Sequence, residues 1–178
     1  MSEKSYELPK RDPNVIKSMF DAISFRYDLL NFLMSFGLDS GWRKRLVKEA
    51  NLKDNAVILD LACGTGDISF SFFKSQQKGL RIKGTDFSGE MIKKAQKKAI
   101  AKKINEIVFQ VGDALQIDEA DKSVDVISIG FALRNLSSLP LAFREMSRVL
   151  KPGGRALCLD LTRPQNSFLR FGHSIFLK

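Results

Sequence analysis

Eight consecutive residues constrain this chain more than any others: Asp60-Leu61-Ala62-Cys63-Gly64-Thr65-Gly66-Asp67. The apolar run Ala56-Val57-Ile58-Leu59 before them reads as a buried strand, and Ile68 to Phe73 after them as the start of a helix. A strand, a glycine turn and a helix build a nucleotide-type site, because glycine lets a ligand approach the backbone closely. The dinucleotide form of this turn has a third glycine, and Ser69 stands in its place. Carboxylates, Asp60 and Asp67, flank the turn. That disfavours a pyrophosphate and suits a ligand with an ammonium group and no phosphate.

Two more carboxylates follow in the same pattern. Asp86 closes a second strand-like run, Leu80 to Thr85, and lies 20 residues after Gly66. An acidic residue there accepts hydrogen bonds from ribose hydroxyls, a feature shared with nicotinamide-type sites. Asp113, in Val111-Gly112-Asp113-Ala114, follows the apolar run Ile107-Val108-Phe109 and is placed to accept from the exocyclic amine of adenine. Singly, each carboxylate reads as readily as a turn residue or a helix cap. Together, at the ends of three successive strands, they point to S-adenosylmethionine, a methyl donor.

The order of elements predicts the fold. Strands are expected at about 56–61, 80–86, 106–111, 124–130 and 154–161, with helices around 67–76, 88–103 and 138–150. Lys151-Pro152-Gly153-Gly154 is expected to end the last helix. Alternating strands and helices predict an α/β fold, a Rossmann-like doubly wound and mostly parallel sheet. Ligands in such sheets bind beyond the carboxyl ends of the strands. Upstream, Asp12-Pro13 reads as a helix start, and apolar residues from Ile16 to Met34 recur at helical spacing. Trp42, Leu46 and Ala50 share one face of a further helix. The expected organisation is an N-terminal helical lid over 1–50, a cofactor-binding core over 51–164, and the start of a helix over 165–178. Such a domain carries two further strands after the fifth, and no residues remain here to form them.

Charge and composition narrow the partners. No apolar run reaches the roughly 18 residues of a membrane span, and the polar start, Met1 to Asp12, shows no secretory signal. Cys63 and Cys158 lack metal-type spacing, so no metal is expected and a cytoplasmic protein with reduced thiols is. Of the net charge of +9, much lies between Lys93 and Lys103. There Met91, Ala95 and Ala99 form an apolar stripe with lysines elsewhere. This reads as a solvated helix face, or as a surface for anionic lipid or nucleic acid. No aromatic residue interleaves with the lysines, which weighs against nucleic acid.

Three blocks resemble a known family. They are Met19-Phe20-Asp21 through Tyr27-Asp28-Leu29-Leu30-Asn31 to Ser35 and Trp42, then Ile127-Ser128-Ile129-Gly130-Phe131-Ala132-Leu133-Arg134-Asn135, and Arg148-Val149-Leu150-Lys151-Pro152-Gly153-Gly154-Arg155. From Phe20 to Pro164 the chain resembles the ubiquinone/menaquinone biosynthesis C-methyltransferases (UbiE/MenG type), class I S-adenosylmethionine-dependent methyltransferases. It departs from their pattern at Asp39, Gly130, Asp160 and Thr162, where histidine, serine, glutamate and serine are usual. The resemblance implies cofactor contacts from Thr65, Asp86, Asp113 and Ala114, beside Asp60, Gly64 and Gly66 of the glycine turn. It implies methylation of a ring carbon on a polyprenylated quinol, either demethylmenaquinol or a methoxy-benzoquinol. A polyprenyl substrate implies peripheral contact with the inner face of a membrane, and a homodimer or quinone-biosynthesis complex is an expected assembly.

A ring carbon is a weak nucleophile until the quinol loses a phenolic proton. Arg134, with Asn135 beside it, is expected to stabilise the resulting quinolate or orient a water, since an arginine is too basic to take the proton. Tyr27 and Asn31 are expected to close over the site from the N-terminal helix. The alternatives are another small-molecule methyltransferase and an inactive cofactor-binding fragment. Nucleic-acid methylation is disfavoured. Gly130-Phe131-Ala132 stands where amino-directed enzymes carry a Pro-Pro-aromatic sequence, and no cysteine is placed to act as a nucleophile.

Overall fold

The computed structural model describes residues 38–75 and 77–160. The expected N-terminal helix, with Tyr27 and Asn31, and everything after Asp160 lie outside them. The chain begins with α1 (Asp39–Glu49) and then alternates β1 (Val57–Leu61), α2 (Asp67–Phe73), β2 (Arg81–Asp86), α3 (Gly89–Ala101) and β3 (Ile107–Val111). After a loop come β4 (Val124–Gly130), a short 3-10 turn (Leu133–Asn135), α4 (Leu139–Val149) and β5 (Leu150–Leu159). All pairings between strands are parallel, and the order is β3-β2-β1-β4-β5. This is the expected doubly wound sheet.

Both faces of the central strand are covered, so β1 reads as a continuous apolar run rather than an alternation. Ile58 faces a core with Phe70, Phe72, Ile82, Ala95 and Phe109, built under α1, α2 and α3. Leu59 and Leu61 face a second core with Ile127, Ile129, Ala142 and Met146, under α4. Full burial of each such side chain contributes roughly 1.5–3 kcal/mol. The stripe Met91, Ala95 and Ala99 is buried as expected. In α1, Leu46 and its C-cap neighbour Ala50 are buried while Trp42 is half-buried.

Helix starts obey capping chemistry. Ser88 accepts from the Met91 amide at 3.3 Å and Ser138 from the Leu141 amide at 3.4 Å, each satisfying an amide the helix leaves unpaired. One boundary departs from expectation. Lys151-Pro152-Gly153-Gly154 does not terminate α4 as a loop but lies inside β5, which starts at Leu150. The register jumps there, with Val124 opposite Leu150 and Val126 already opposite Arg155. The four residues form an excursion in the strand, turned by Gly153 at φ 81°.

Candidate active site

A cleft of about 130 Å³ opens at the carboxyl ends of β1 to β4. Its walls follow the strand order. Gly112, Asp113, Ala114 and Leu115 come from beyond β3, and Asp86, Phe87 and Met91 from β2 and α3. Ala62 and Gly64 follow β1, and Gly130, Phe131, Ala132, Asn135, Leu136 and Ser137 follow β4. Of the residues expected at the site, Gly64, Asp86, Asp113, Ala114 and Asn135 meet here. Asp60, Thr65, Gly66 and Arg134 do not line the cleft.

Asp60 lies beneath the glycine turn, completely buried. Its Oδ2 accepts from the Ser69 amide at 3.0 Å and the Ser69 hydroxyl at 2.6 Å, and its Oδ1 from the Ser128 hydroxyl at 2.7 Å. One carboxylate thus ties β1 to α2 and β4. Burial pushes its pKa up to about 6, against the opposing pull of these three bonds. Burial, with Asp60 and Asp86 nearby, likewise pushes the Cys63 thiol well up. Asp60, expected to face an ammonium group, thus lies beneath the turn and outside the cleft lining.

The turn closes by a bond from the Gly66 amide to the Cys63 carbonyl at 2.9 Å. Gly66 holds φ 87°, and a Cβ there would sit 2.6 Å from the Phe109 ring, so packing as well as conformation demands glycine. Thr65 is buried and does not line the cleft. Lys98 of α3 donates to its hydroxyl at 2.8 Å and to Asp67 Oδ1 at 3.1 Å. Arg43 of α1 reaches Asp67 Oδ2 at 3.6 Å and donates to Asp39 Oδ2 at 2.7 Å. Lys98, one of the run read as a solvated face, is instead a brace for the turn.

Asp86 and Asp113 are the carboxylates on the cleft wall. Asp86 Oδ2 accepts from the Gly64 amide at 2.8 Å and its Oδ1 from the Ser88 amide at 2.9 Å. These two amides aim the carboxylate, one on each oxygen. Asp113 is exposed, with Oδ1 accepting from the Leu115 amide at 2.8 Å. The loop beyond it is stapled to α4: Arg148 donates to the Ile117 and Glu119 carbonyls at 2.8 and 2.9 Å, and Glu145 accepts from the Ile117 amide at 3.0 Å. The bond to Arg148, seconded by that amide, lowers Glu145 to about 2.

Beyond β4 the cleft turns apolar. A Cβ at Gly130 would meet the terminal methyl of Ile68, so a serine there requires that side chain to shift. Phe131 follows at φ 57°. Arg134 is half exposed and forms a salt bridge with Asp160 Oδ1 at 3.0 Å, just past the end of β5. Sequence reasoning overlooked Phe131, Lys98 and Arg148. The last two sit in motifs whose partners are 30 or so residues away in sequence, beyond any local signal.

The comparisons agree with this geometry. The model of the ubiE/COQ5 methyltransferase family matches residues 8–178. A demethylmenaquinone methyltransferase of Desulfitobacterium hafniense is 37% identical over 162 residues, covering 90% of this chain and 64% of that protein. The ubiquinone/menaquinone biosynthesis C-methyltransferase UbiE of Geotalea daltonii is 41% identical over 159 residues, covering 89% and 67%. The chain thus spans about two thirds of the length of these curated relatives. Among solved structures, a SAM-dependent methyltransferase from Aquifex aeolicus shares the fold at TM-score 0.65 and 23% identity, covering 88% of this chain and 77% of that one.

Proposed function

This chain belongs to the ubiE/COQ5 methyltransferase family, and on that footing we propose that its cleft binds S-adenosylmethionine and serves C-methylation of a polyprenylated quinol. The observation that carries the reading is Asp86, a buried carboxylate aimed by the Gly64 and Ser88 amides at the cleft between β1 and β3. It fits a ribose diol. Asp113 and Ala114 flank the place for the adenine, with Phe87, Met91 and Leu115 as apolar walls. Bound there, the cofactor supplies an electrophilic methyl group on a sulfonium.

The chain's own residues position and polarise. Loss of a phenolic proton to water would make the acceptor's ring carbon nucleophilic toward the methyl group that the cofactor would supply, and the chain's part is to hold the two in line. Holding the partners in line accounts for up to about 7–11 kcal/mol in favourable cases. Asn135 on the cleft wall orients the acceptor oxygen; Arg134, paired with Asp160 outside the cleft lining, would supply charge to the quinolate only once that pair parts. Tyr27 and Asn31, outside the described residues, remain the proposed acceptor contacts from the N-terminal segment.

A polyprenyl tail requires meeting the substrate at a lipid surface. No helix among the described residues is long and apolar enough to cross a membrane. The outer face of α3 offers peripheral contact, with Ile100 75% exposed between Lys97 and Lys103. The deciding experiment follows labelled methyl from S-adenosylmethionine onto short-chain demethylmenaquinol and methoxy-benzoquinol. Transfer to a ring carbon of either is expected. Cofactor binding with no transfer to any quinol would leave a binding fragment or a different methyltransferase.

A further inference from the structure

We infer that the ring of Phe131 is the surface on which the flat ring of the acceptor lies, with Trp42 as its buttress. The inference rests on the quinol reading above and names the residue that recognises that class of ring.

Strand order supplies the first argument. Asp113 beyond β3 and Asp86 at β2 set the nucleoside end, and the glycine turn at β1 follows. The acceptor must therefore approach from the β4 side, where the wall is Phe131, Ala132, Asn135 and Leu136. That half is mostly apolar, whereas the nucleoside half carries the two carboxylates. A neutral aromatic or quinoid ring suits it better than a charged or sugar-like acceptor.

The backbone supplies the second. Phe131 holds φ 57°, which a bulky side chain adopts only where its surroundings impose it. Its amide is pinned to the Leu159 carbonyl of β5 at 2.7 Å. Glycine is the residue this position would favour for folding alone. Phenylalanine stands there instead, half-buried on the cleft wall rather than in either core.

The neighbour supplies the third. Trp42 of α1 lies 6.3 Å away, centroid to centroid, tilted by 52°. That is an attractive aromatic geometry, and Trp42 itself does not line the cleft. It also links the acceptor wall to the N-terminal segment.

Trp42 is the only tryptophan in the chain, so its emission reports on this wall directly. The protein, saturated with S-adenosylhomocysteine, is titrated with a short-chain 1,4-naphthoquinone while Trp42 quenching is followed. The quinol KM is measured in parallel. Phe131→Leu is expected to weaken the naphthoquinone midpoint and raise KM by roughly five- to tenfold, the worth of an aromatic contact. S-adenosylhomocysteine affinity should stay within about twofold, and Phe131→Tyr should restore binding. Phe131→Gly should melt no lower than Phe131→Leu, since glycine takes φ 57° without strain, yet bind the ring as poorly. An unchanged midpoint in Phe131→Leu overturns the inference, as does an equal loss of S-adenosylhomocysteine affinity or no rescue by tyrosine. Phe131-dependent quenching without methyl transfer to any quinol refutes the quinol reading alone. Methyl transfer that ignores Phe131 refutes this inference alone.

Discussion

Replacing Asp60 by asparagine should remove a pH dependence of stability that the buried carboxylate imposes. In the folded protein Asp60 has no exposure and a pKa near 6, against 3.8 for the free side chain. Below about pH 4 both states hold the proton and nothing is lost. Between pH 4 and 6 the unfolded chain has released its proton while the folded protein keeps it, so stability falls as pH rises. Above 6 both are ionised and the cost is constant. The shift corresponds to about 3 kcal/mol in total, of which about 2 kcal/mol falls between pH 4.5 and 7.5. Asparagine can keep the network. Its carbonyl accepts from the Ser69 amide and one hydroxyl, and its amide donates to the other serine, whose hydroxyl rotates. Urea unfolding of both proteins at pH 4.5, 6 and 7.5 isolates the effect, because every other titrating group is common to the pair. Relative to the parent, Asp60→Asn should gain about 2 kcal/mol across that interval. Parallel curves for the two proteins would falsify the protonation argument and mean that the Ser69 and Ser128 bonds hold Asp60 ionised below pH 5.

Three further outcomes are expected. Asp86→Ala should leave the fold intact and weaken S-adenosylmethionine binding by roughly 2–4 kcal/mol, read by calorimetry; unchanged affinity would remove the ribose assignment. The Glu145–Arg148 clamp should survive to pH 4, because Glu145 stays ionised until pH falls toward 2. Slow amide exchange at Ile117 should therefore persist at pH 4 and be lost in Arg148→Met. Vesicle sedimentation should show salt-sensitive binding to anionic lipid at about 1 kcal/mol per engaged lysine, reduced by Lys97→Glu; equal binding to neutral vesicles would eliminate electrostatics.

The sheet was legible because local patterns carry it: apolar runs of strand length, Ser88 and Ser138 as caps, and the buried stripe Met91, Ala95, Ala99. The cleft was half legible. Asp86 and Asp113 announce themselves by position after strands. Asp60 has the same local signature, yet its burial is set in part by Ser128, 68 residues away, and no local pattern shows that it lies beneath the cleft rather than on its wall. Lysines 93 to 103 look alike in sequence, but only the tertiary reach of Lys98 to Asp67 distinguishes it from its solvated neighbours. Phe131 reads as an ordinary apolar residue after a strand. Its distinguishing property is a backbone angle, which no side-chain pattern encodes. At Lys151 to Gly154 proline and glycine were correctly read as breakers, but what they interrupt is a strand.

That interruption gives the molecule a place where it can be opened. Pro152 and Gly153 are exposed, and a side chain at Gly153 would meet nothing within 4 Å. They sit at the amino end of the sheet, and a strand the length of β4 separates them from the cleft by roughly 23 Å. The register has already absorbed extra residues at this point, and doubling a loop's length costs only about 0.6 kcal/mol. A tag, a fluorophore or a surface tether inserted between Pro152 and Gly153 would therefore hold the protein by its blunt end, with the cleft facing outward.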